Sequence, residues 1–373
     1  MLSKLYQPTR PRWGNWRGDA QQSLGIDIGQ LTTKIVLAET NSRGELDYQT
    51  TCLSTWAPNS VTESPTNQDP IPACSWTSRA LKSVTQQVGQ IVAAHSRSRR
   101  LQIGVTLGMS ACDYRTLYVP KNSHITAAGI QQSIAAAIGD KRPRCIATIS
   151  HPESAADNRQ SKLRCLSLPE DLAWSIAQQL DGVGLMPHRL TCVPWCMARA
   201  LQLVAKERPD AGHQLGIDWS YGPPTLVAVK QGHIDYVRCL SSGGLGQLCA
   251  QAMQRYQLSP AEACRWLTHC MHDESSTGSD AVMETRDWVR EGCAKLATEI
   301  GNSLEFIRWR NPEFELESLW LMGGAPRIAG LHTWLQSMVP CELRLWNLET
   351  QVDQLTSEYA LATAVASMGL CHA

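Results

Sequence analysis

One six-residue pattern occurs twice in this chain, about half its length apart. Leu24-Gly25-Ile26-Asp27-Ile28-Gly29 and Leu215-Gly216-Ile217-Asp218-Trp219-Ser220 place a glycine and an aspartate at matching positions in an apolar run. Each leads, after a short gap, into a second apolar run: Lys34-Ile35-Val36-Leu37-Ala38 in the first case and Thr225–Val229 in the second. An apolar run, a tight turn and an apolar return read as a buried β-hairpin. The same hairpin in each half predicts two similar halves facing each other across a cleft, with an aspartate at each tip. A third segment, Leu319-Trp320-Leu321-Met322-Gly323-Gly324, reads as a buried strand that ends in a Gly-Gly turn and enters a helix.

Length and charge narrow the function classes. At 373 residues the chain is long for one compact core, so two domains are expected. Lysine plus arginine equal aspartate plus glutamate at 34 each, so no net field draws in nucleic acid, and none is expected as a partner. The fourteen cysteines include no Cys-x-x-Cys pair. Cys192 and Cys196, or Cys264 and Cys270, are too widely spaced for a zinc knuckle, and Cys145, Cys239, Cys249 and Cys293 lie in apolar stretches where cysteine serves as a small core residue. With no secretory leader recognised, the thiols are expected reduced and the chain cytoplasmic. No segment approaches the roughly 20 apolar residues that cross a bilayer, so membrane association is expected only through a partner.

Five regions follow from the patterning. Residues 1–22, rich in proline, glycine and basic side chains, read as a flexible tail. Residues 23–99 with 191–212 form the first subdomain, including a proline-rich loop over 57–73 and helical spacing over 77–96. Residues 100–190 read as an inserted α+β subdomain and 213–355 as the second domain, whose longest helix spans 281–310. Residues 356–373 supply a terminal helix expected to pack back on the first domain.

The chemistry centres on the glycines. Phosphate groups are cradled by backbone N–H donors in tight turns where glycine lets the chain approach closely. Gly29 to Lys34, with Thr32 and Thr33 between, has that form and adds a cation. Asp27 is placed to orient water on magnesium, a hard cation that prefers carboxylate and water oxygen. Asp218 and Ser220 occupy the matching places in the second hairpin, and Gly323-Gly324 offers a floor for a base and ribose. Ser150-His151 with Glu153 lacks the Gly-x-Ser-x-Gly elbow of a hydrolase and reads as a surface turn. His269 and His272, flanking Cys270 with Asp273, read as the polar end of a helix rather than a metal site.

The three motifs in this order, with an α+β insert in the first half, resemble the actin-like ATPase superfamily, whose duplicated ribonuclease H-like halves enclose a nucleotide cleft. More narrowly, Gly25-Ile-Asp27-Ile-Gly29 with Lys34, the middle hairpin with Arg238 and Gly243-Gly244, and Gly323-Gly324-Ala325-Pro326-Arg327-Ile328-Ala329-Gly330-Leu331 before an Ala-rich terminal helix resemble the type IV pilus assembly PilM family, relatives of the cell-division protein FtsA. The likeness covers about residues 23–370. It implies ATP with magnesium bound between the halves at Asp27, Gly29, Thr32, Thr33, Lys34, Asp218, Ser220, Gly323 and Gly324. It also implies a groove for the N-terminal cytoplasmic peptide of a PilN-like inner-membrane protein, a place at the cytoplasmic face of the inner membrane, and a part in pilus-driven twitching motility.

Two departures shape the expectation. The family places Asp-x-Gly in the second phosphate loop, whereas this chain has Asp218-Trp219-Ser220; a serine Cβ penalises the open backbone angles that glycine tolerates by about 1 kcal/mol or more. Relatives carry an Asp-x-Glu near residues 191–194 that positions an attacking water, but here the stretch is Thr191-Cys192-Val193-Pro194. The expectation is nucleotide binding with weak or no hydrolysis and no catalytic residue. The alternatives are a nucleotide-free scaffold of a pilus or type II secretion-like system, a filament-forming scaffold like FtsA, and a small-molecule kinase of the same superfamily.

Overall fold

Strand β1 (Gln22–Ile28) runs out to Asp27 and returns as β2 (Thr32–Thr40), with Asp27 opposite Lys34 and Gly25 opposite Val36. These strands belong to a computed structural model that describes residues 22–40, 46–54, 85, 88–89, 101–120, 126–150, 160–182, 185, 187–205, 213–272, 279–316, 318–349 and 354–370. The expected tail therefore lies outside the described residues, except Gln22, which opens β1. So does the 57–73 loop. Of the helix predicted over 77–96, Thr85, Val88 and Gly89 are described; all three are helical, and Thr85 and Val88 are buried.

The first sheet adds β3 (Leu46–Ser54) antiparallel to β2 and β4 (Leu101–Leu107) parallel to β1. The insert then supplies β5 (Asp113–Pro120), helix α1 (Ala127–Ile138), β6 (Arg144–Ser150), β7 (Gln160–Pro169) and α2 (Glu170–Asp181), with its strands in the order β5-β7-β6. After it, β8 (Arg189–Cys192) completes the first sheet in the order β3-β2-β1-β4-β8. Leu101–Leu107, which the sequence placed in the insert, thus belongs to the first sheet, and so does the whole of Arg189–Cys192, which the expected boundary at 190 divides. β4 alternates apolar residues with Gln102, Gly104 and Thr106, yet Ile103 to Leu107 are all buried because a central parallel strand is covered on both faces.

The second half repeats this plan. It contains α3 (Val193–Ala205), β9 (His213–Asp218), β10 (Thr225–Lys230), β11 (His233–Cys239), α4 (Leu245–Tyr256), α5 (Pro260–His272), α6 (Asp280–Arg310), β12 (Ser318–Met322), α7 (Leu331–Met338) and β13 (Glu342–Leu345). Its sheet order, β11-β10-β9-β12-β13, has two antiparallel and then two parallel pairings, as in the first sheet. The sequence repeat is therefore a repeat of topology, with β1 and β9 at equivalent central positions.

Helix α3 and the terminal helix α8 (Ala360–Leu370) share one buried core with Val36 and Ala38 of the first sheet and Val227 and Val229 of the second. α8 is built of small residues and lies against β1, β2, β4 and α3. It approaches so closely that a Cβ on Gly25 would sit 2.0 Å from the Ala362 carbonyl oxygen. Helices α4 to α7 pack the remaining face of the second sheet in a separate core. Arg164 on β7 reaches Asp235 on β11 at 3.8 Å, so the insert touches the second half.

Candidate functional site

The tips of the two hairpins open into a cleft of about 360 Å³ between the halves. Of the residues predicted for the site, Asp27, Gly29, Thr32, Lys34, Asp218, Ser220 and Gly324 line it. Thr33 and Gly323 do not. Strand alternation explains the first exclusion: Thr33 points to the opposite face from its neighbours, and its fully buried hydroxyl has no hydrogen-bond partner among the described residues.

Gly323 has a packing role. It has φ +91°, and a Cβ there would lie 2.7 Å from both the Ser220 hydroxyl and the Trp219 backbone. Its N–H donates to the Ser357 carbonyl at 2.9 Å, and its carbonyl accepts from the Ser357 hydroxyl at 3.2 Å. The next glycine differs: a Cβ on Gly324 would meet nothing within 4 Å, so its bareness leaves the cleft floor open.

At the first hairpin, the Gly29 N–H donates to the Thr32 carbonyl at 3.1 Å and closes a four-residue loop. A Cβ on Gly29 would sit 2.5 Å from that oxygen, so the turn requires glycine. The Gln30 amide donates to the Ser110 hydroxyl at 3.2 Å and ties the loop to the turn after β4. Lys34 Nζ stands 4.0 Å from Asp27 Oδ2, with both side chains over nine-tenths buried. Burial raises the Asp27 pKa to about 6; Lys34 opposes the rise and Asp218 adds to it. Burial also raises that of Asp218, against the pull of Ser220 and Lys34. Two buried carboxylates thus face one ammonium group.

The second loop departs from expectation in one respect. Ser220 does not have a positive φ, a state found among described non-glycine residues only at Gln231 and Gln257. The predicted strain is therefore absent. The Ser220 hydroxyl donates to Asp218 Oδ1 at 2.5 Å. Trp219 points into the core, fully buried; its indole N–H donates to the Gly243 carbonyl at 2.8 Å, and its backbone N–H donates to the Met322 carbonyl at 2.8 Å.

Other lining residues escaped the sequence reading: Ser110, Tyr221, Cys264, Thr268, Arg327 and Glu358. Only Ser110 carried a local signal, since Gly108-Met109-Ser110 follows an apolar strand as the hairpin glycines do. Arg327 and Glu358 form an ion pair that joins the 3-10 turn at Ala325–Arg327 to the one at Ser357–Tyr359. At the end of β8, Thr191 and Cys192 are buried and Val193 lines the cleft, so that wall carries no carboxylate. His269 and His272 lie in the last turn of α5, as read from the sequence. Ser150 ends β6, while His151, Glu153 and Asp273 fall outside the described residues. Among the described residues no three potential ligands converge as a metal cage, and no helix is long and apolar enough to cross a membrane.

No protein-family model and no curated protein sequence matches the chain. Solved structures do. A chain of a PilM–PilN type IV pilus biogenesis complex is 19% identical with a TM-score of 0.65, over 94% of this chain and 98% of that one. The fold is actin-like. The ethanolamine utilization protein EutJ from Carboxydothermus hydrogenoformans also resembles this actin-like chain, at 10% identity and a TM-score of 0.50 over 98% of both chains. The duplicated five-stranded sheets and the cleft between them are thus features of a known architecture.

Proposed function

We propose that this chain is a PilM-like, actin-fold nucleotide-binding scaffold of a type IV pilus inner-membrane assembly. It acts at the cytoplasmic face and holds the N-terminal cytoplasmic peptide of a PilN-like membrane protein. The observation that carries this reading is the pair of opposed, buried carboxylates with one lysine between them, in a fold that matches the PilM–PilN complex chain almost end to end. The Gly29–Thr32 turn and Lys34 suit a polyphosphate, and the bare surface at Gly324 suits the rest of a nucleotide.

The donor set also fits a divalent cation. Asp27 and Asp218 leave an excess of negative charge beside the phosphate turn, a demand that hydrated magnesium satisfies. Asp27 would hold it through water, and the ion would screen the phosphate charge there. Because Asp27 titrates near 6, binding of magnesium and nucleotide should weaken as the pH falls through that value. Hydrolysis should be slow, since losing a water-orienting base costs about 10²–10⁴-fold. ATP would bridge the halves and stabilise the form that grips the partner.

Thermal unfolding with magnesium plus ATP, ADP or neither, repeated on Asp27→Ala, tests the site. Ligand at about a hundred times Kd adds about 2.7 kcal/mol, a shift of several degrees that the variant should lose. Absence of any shift at millimolar nucleotide would leave the nucleotide-free scaffold standing. Titration of a PilN-like N-terminal peptide, with and without ATP, tests the partner separately. Multiple turnovers per minute that depend on Asp27 would contradict the binding-only reading.

A further inference from the structure

The carboxylates that line the cleft differ in their partners. Asp27 has Lys34 beside it, and Glu358 is paired with Arg327. Asp218 has a hydroxyl instead: Ser220 Oγ donates to its Oδ1 at 2.5 Å. Ser220 is half-buried and lines the cleft at the place that Gly29 holds in the first hairpin. Its approach is fixed by the residue before it. The Trp219 N–H donates to the Met322 carbonyl at 2.8 Å, and the Trp219 carbonyl accepts from the Ala325 N–H at 3.0 Å. The bare Cα of Gly323 leaves the hydroxyl its room, since a Cβ there would lie 2.7 Å from it.

We propose that Ser220 is a phosphoacceptor: its hydroxyl takes the γ-phosphoryl group of a nucleoside triphosphate held in the same chain, with Asp218 as the base. This rests on nucleotide binding in the cleft. Other cleft hydroxyls direct their protons elsewhere. Thr225 Oγ1 donates to the Pro223 carbonyl at 3.4 Å and Thr268 Oγ1 to the Cys264 carbonyl at 2.9 Å. A backbone carbonyl does not take up a proton at neutral pH, whereas a carboxylate does. The wall formed by Thr191, Cys192 and Val193 offers no carboxylate to orient a water, so the serine is the better-placed nucleophile.

The step balances without any further reagent. Ser220 Oγ forms a bond to the γ-phosphorus as the bond from that phosphorus to the β–γ bridging oxygen breaks. The nucleoside diphosphate leaves with that oxygen, and the serine proton passes to Asp218 Oδ1 and then to solvent. Phosphoryl transfer depends mainly on positioning and on stabilising charge, which the Gly29–Thr32 turn and Lys34 supply. The product is a phosphoserine, and each chain reacts once.

The test uses the intact protein, treated with phosphatase and then incubated with magnesium and ATP, followed by phosphopeptide mapping. The expected result is one phosphoryl group per chain, on Ser220, with an equal amount of ADP and then no more. The rate should not change with protein concentration, because donor and acceptor share one chain. Ser220→Ala should remain unlabelled, and Ser220→Thr should carry the label as phosphothreonine. Asp218→Asn, compared at ATP concentrations where the rate has levelled off, should be slower by about 10²–10⁴-fold. A label on Thr32, Ser110 or Thr268, a rate that rises with protein concentration, or an undiminished rate in Asp218→Asn would each overturn the proposal.

Thermal unfolding of the same samples separates the two levels of failure. A melting temperature that rises with magnesium and ATP while Ser220 stays unmodified would overturn self-phosphorylation and leave nucleotide binding standing. Neither a shift nor a label would overturn both.

Discussion

The two hairpins that define this molecule have equivalent places in their sheets and different surroundings. In the first, the cross-strand partner of Asp27 is Lys34; in the second, the partner of Asp218 is Thr225. One carboxylate has a cation beside it, while the other has the hydroxyl of Ser220. The glycines differ as well. A Cβ on Gly25 would strike the α8 backbone at Ala362 and Ala366, whereas one on Gly216 would meet the mobile ends of Met197, Leu201 and Met322 at 3.3–3.4 Å. The duplication kept the backbone plan, and each half then acquired its own reason for the same residue type.

Alanine at the two glycines gives the largest predicted contrast. Gly25→Ala should cost more than about 3 kcal/mol, because backbone atoms at 2.0 and 2.7 Å cannot move without displacing the terminal helix. Gly216→Ala should stay within about 1 kcal/mol, since methionine and leucine ends adjust and a strand glycine is itself weakening. Chemical denaturation of the two variants measures the difference. Equal losses would mean that α8 does not dock as closely as the structure shows.

The carboxylates sharpen the contrast through pH. The Asp27 pKa rises from 3.8 to about 6 on folding, so between these values the folded state holds more proton than the unfolded state. Its contribution is therefore most favourable below about 4 and is lost as the pH rises through about 6. At neutral pH the buried charge costs up to about 3 kcal/mol. Asp27→Asn should recover part of that cost, flatten the stability profile between pH 4 and 6, and abolish the shift with magnesium and ATP. A gain in stability with loss of ligand response is the mark of a residue kept for binding. A destabilised Asp27→Asn at pH 7 would show that Lys34 compensates the charge fully.

How far the sequence reveals this site follows from the same comparison. The hairpins were legible because a turn glycine and a tip aspartate are local signals, as was the strand leading into Gly323-Gly324. β4 was placed in the wrong subdomain because its pairing with β1 is parallel and distant in sequence, with nothing local to mark it. β3 and β7 were missed because both mix polar residues through their length, and β7 even buries Arg164 and Ser167. Cys264, Thr268 and Glu358 lie on segments that read simply as helix, and only tertiary folding brings them to the cleft. Thr33 was read as part of the Gly29–Lys34 turn and Gly323 as half of the Gly-Gly floor, but strand alternation and packing turn both away from the cleft lining.

The smallest predicted effect decides what Ser220 is for. If serine were a damaged phosphate-loop glycine, Ser220→Gly would relieve strain and improve nucleotide binding. The structure gives no such strain, because Ser220 lies outside the left-handed region and its hydroxyl bonds to Asp218. Removing that donor should raise the Asp218 pKa further and leave its carboxylate less well satisfied, at a cost of about 1 kcal/mol for a partly exposed pair. Ser220→Gly and Ser220→Ala should then behave alike, both slightly less stable and neither tighter for magnesium and ATP, because what they share is the lost hydroxyl. A gain in affinity with glycine and none with alanine would return the second loop to the role of a weakened copy of the first. Equal losses would mean that the second hairpin has a hydroxyl where the first has its lysine, and that Lys34 serves both aspartates.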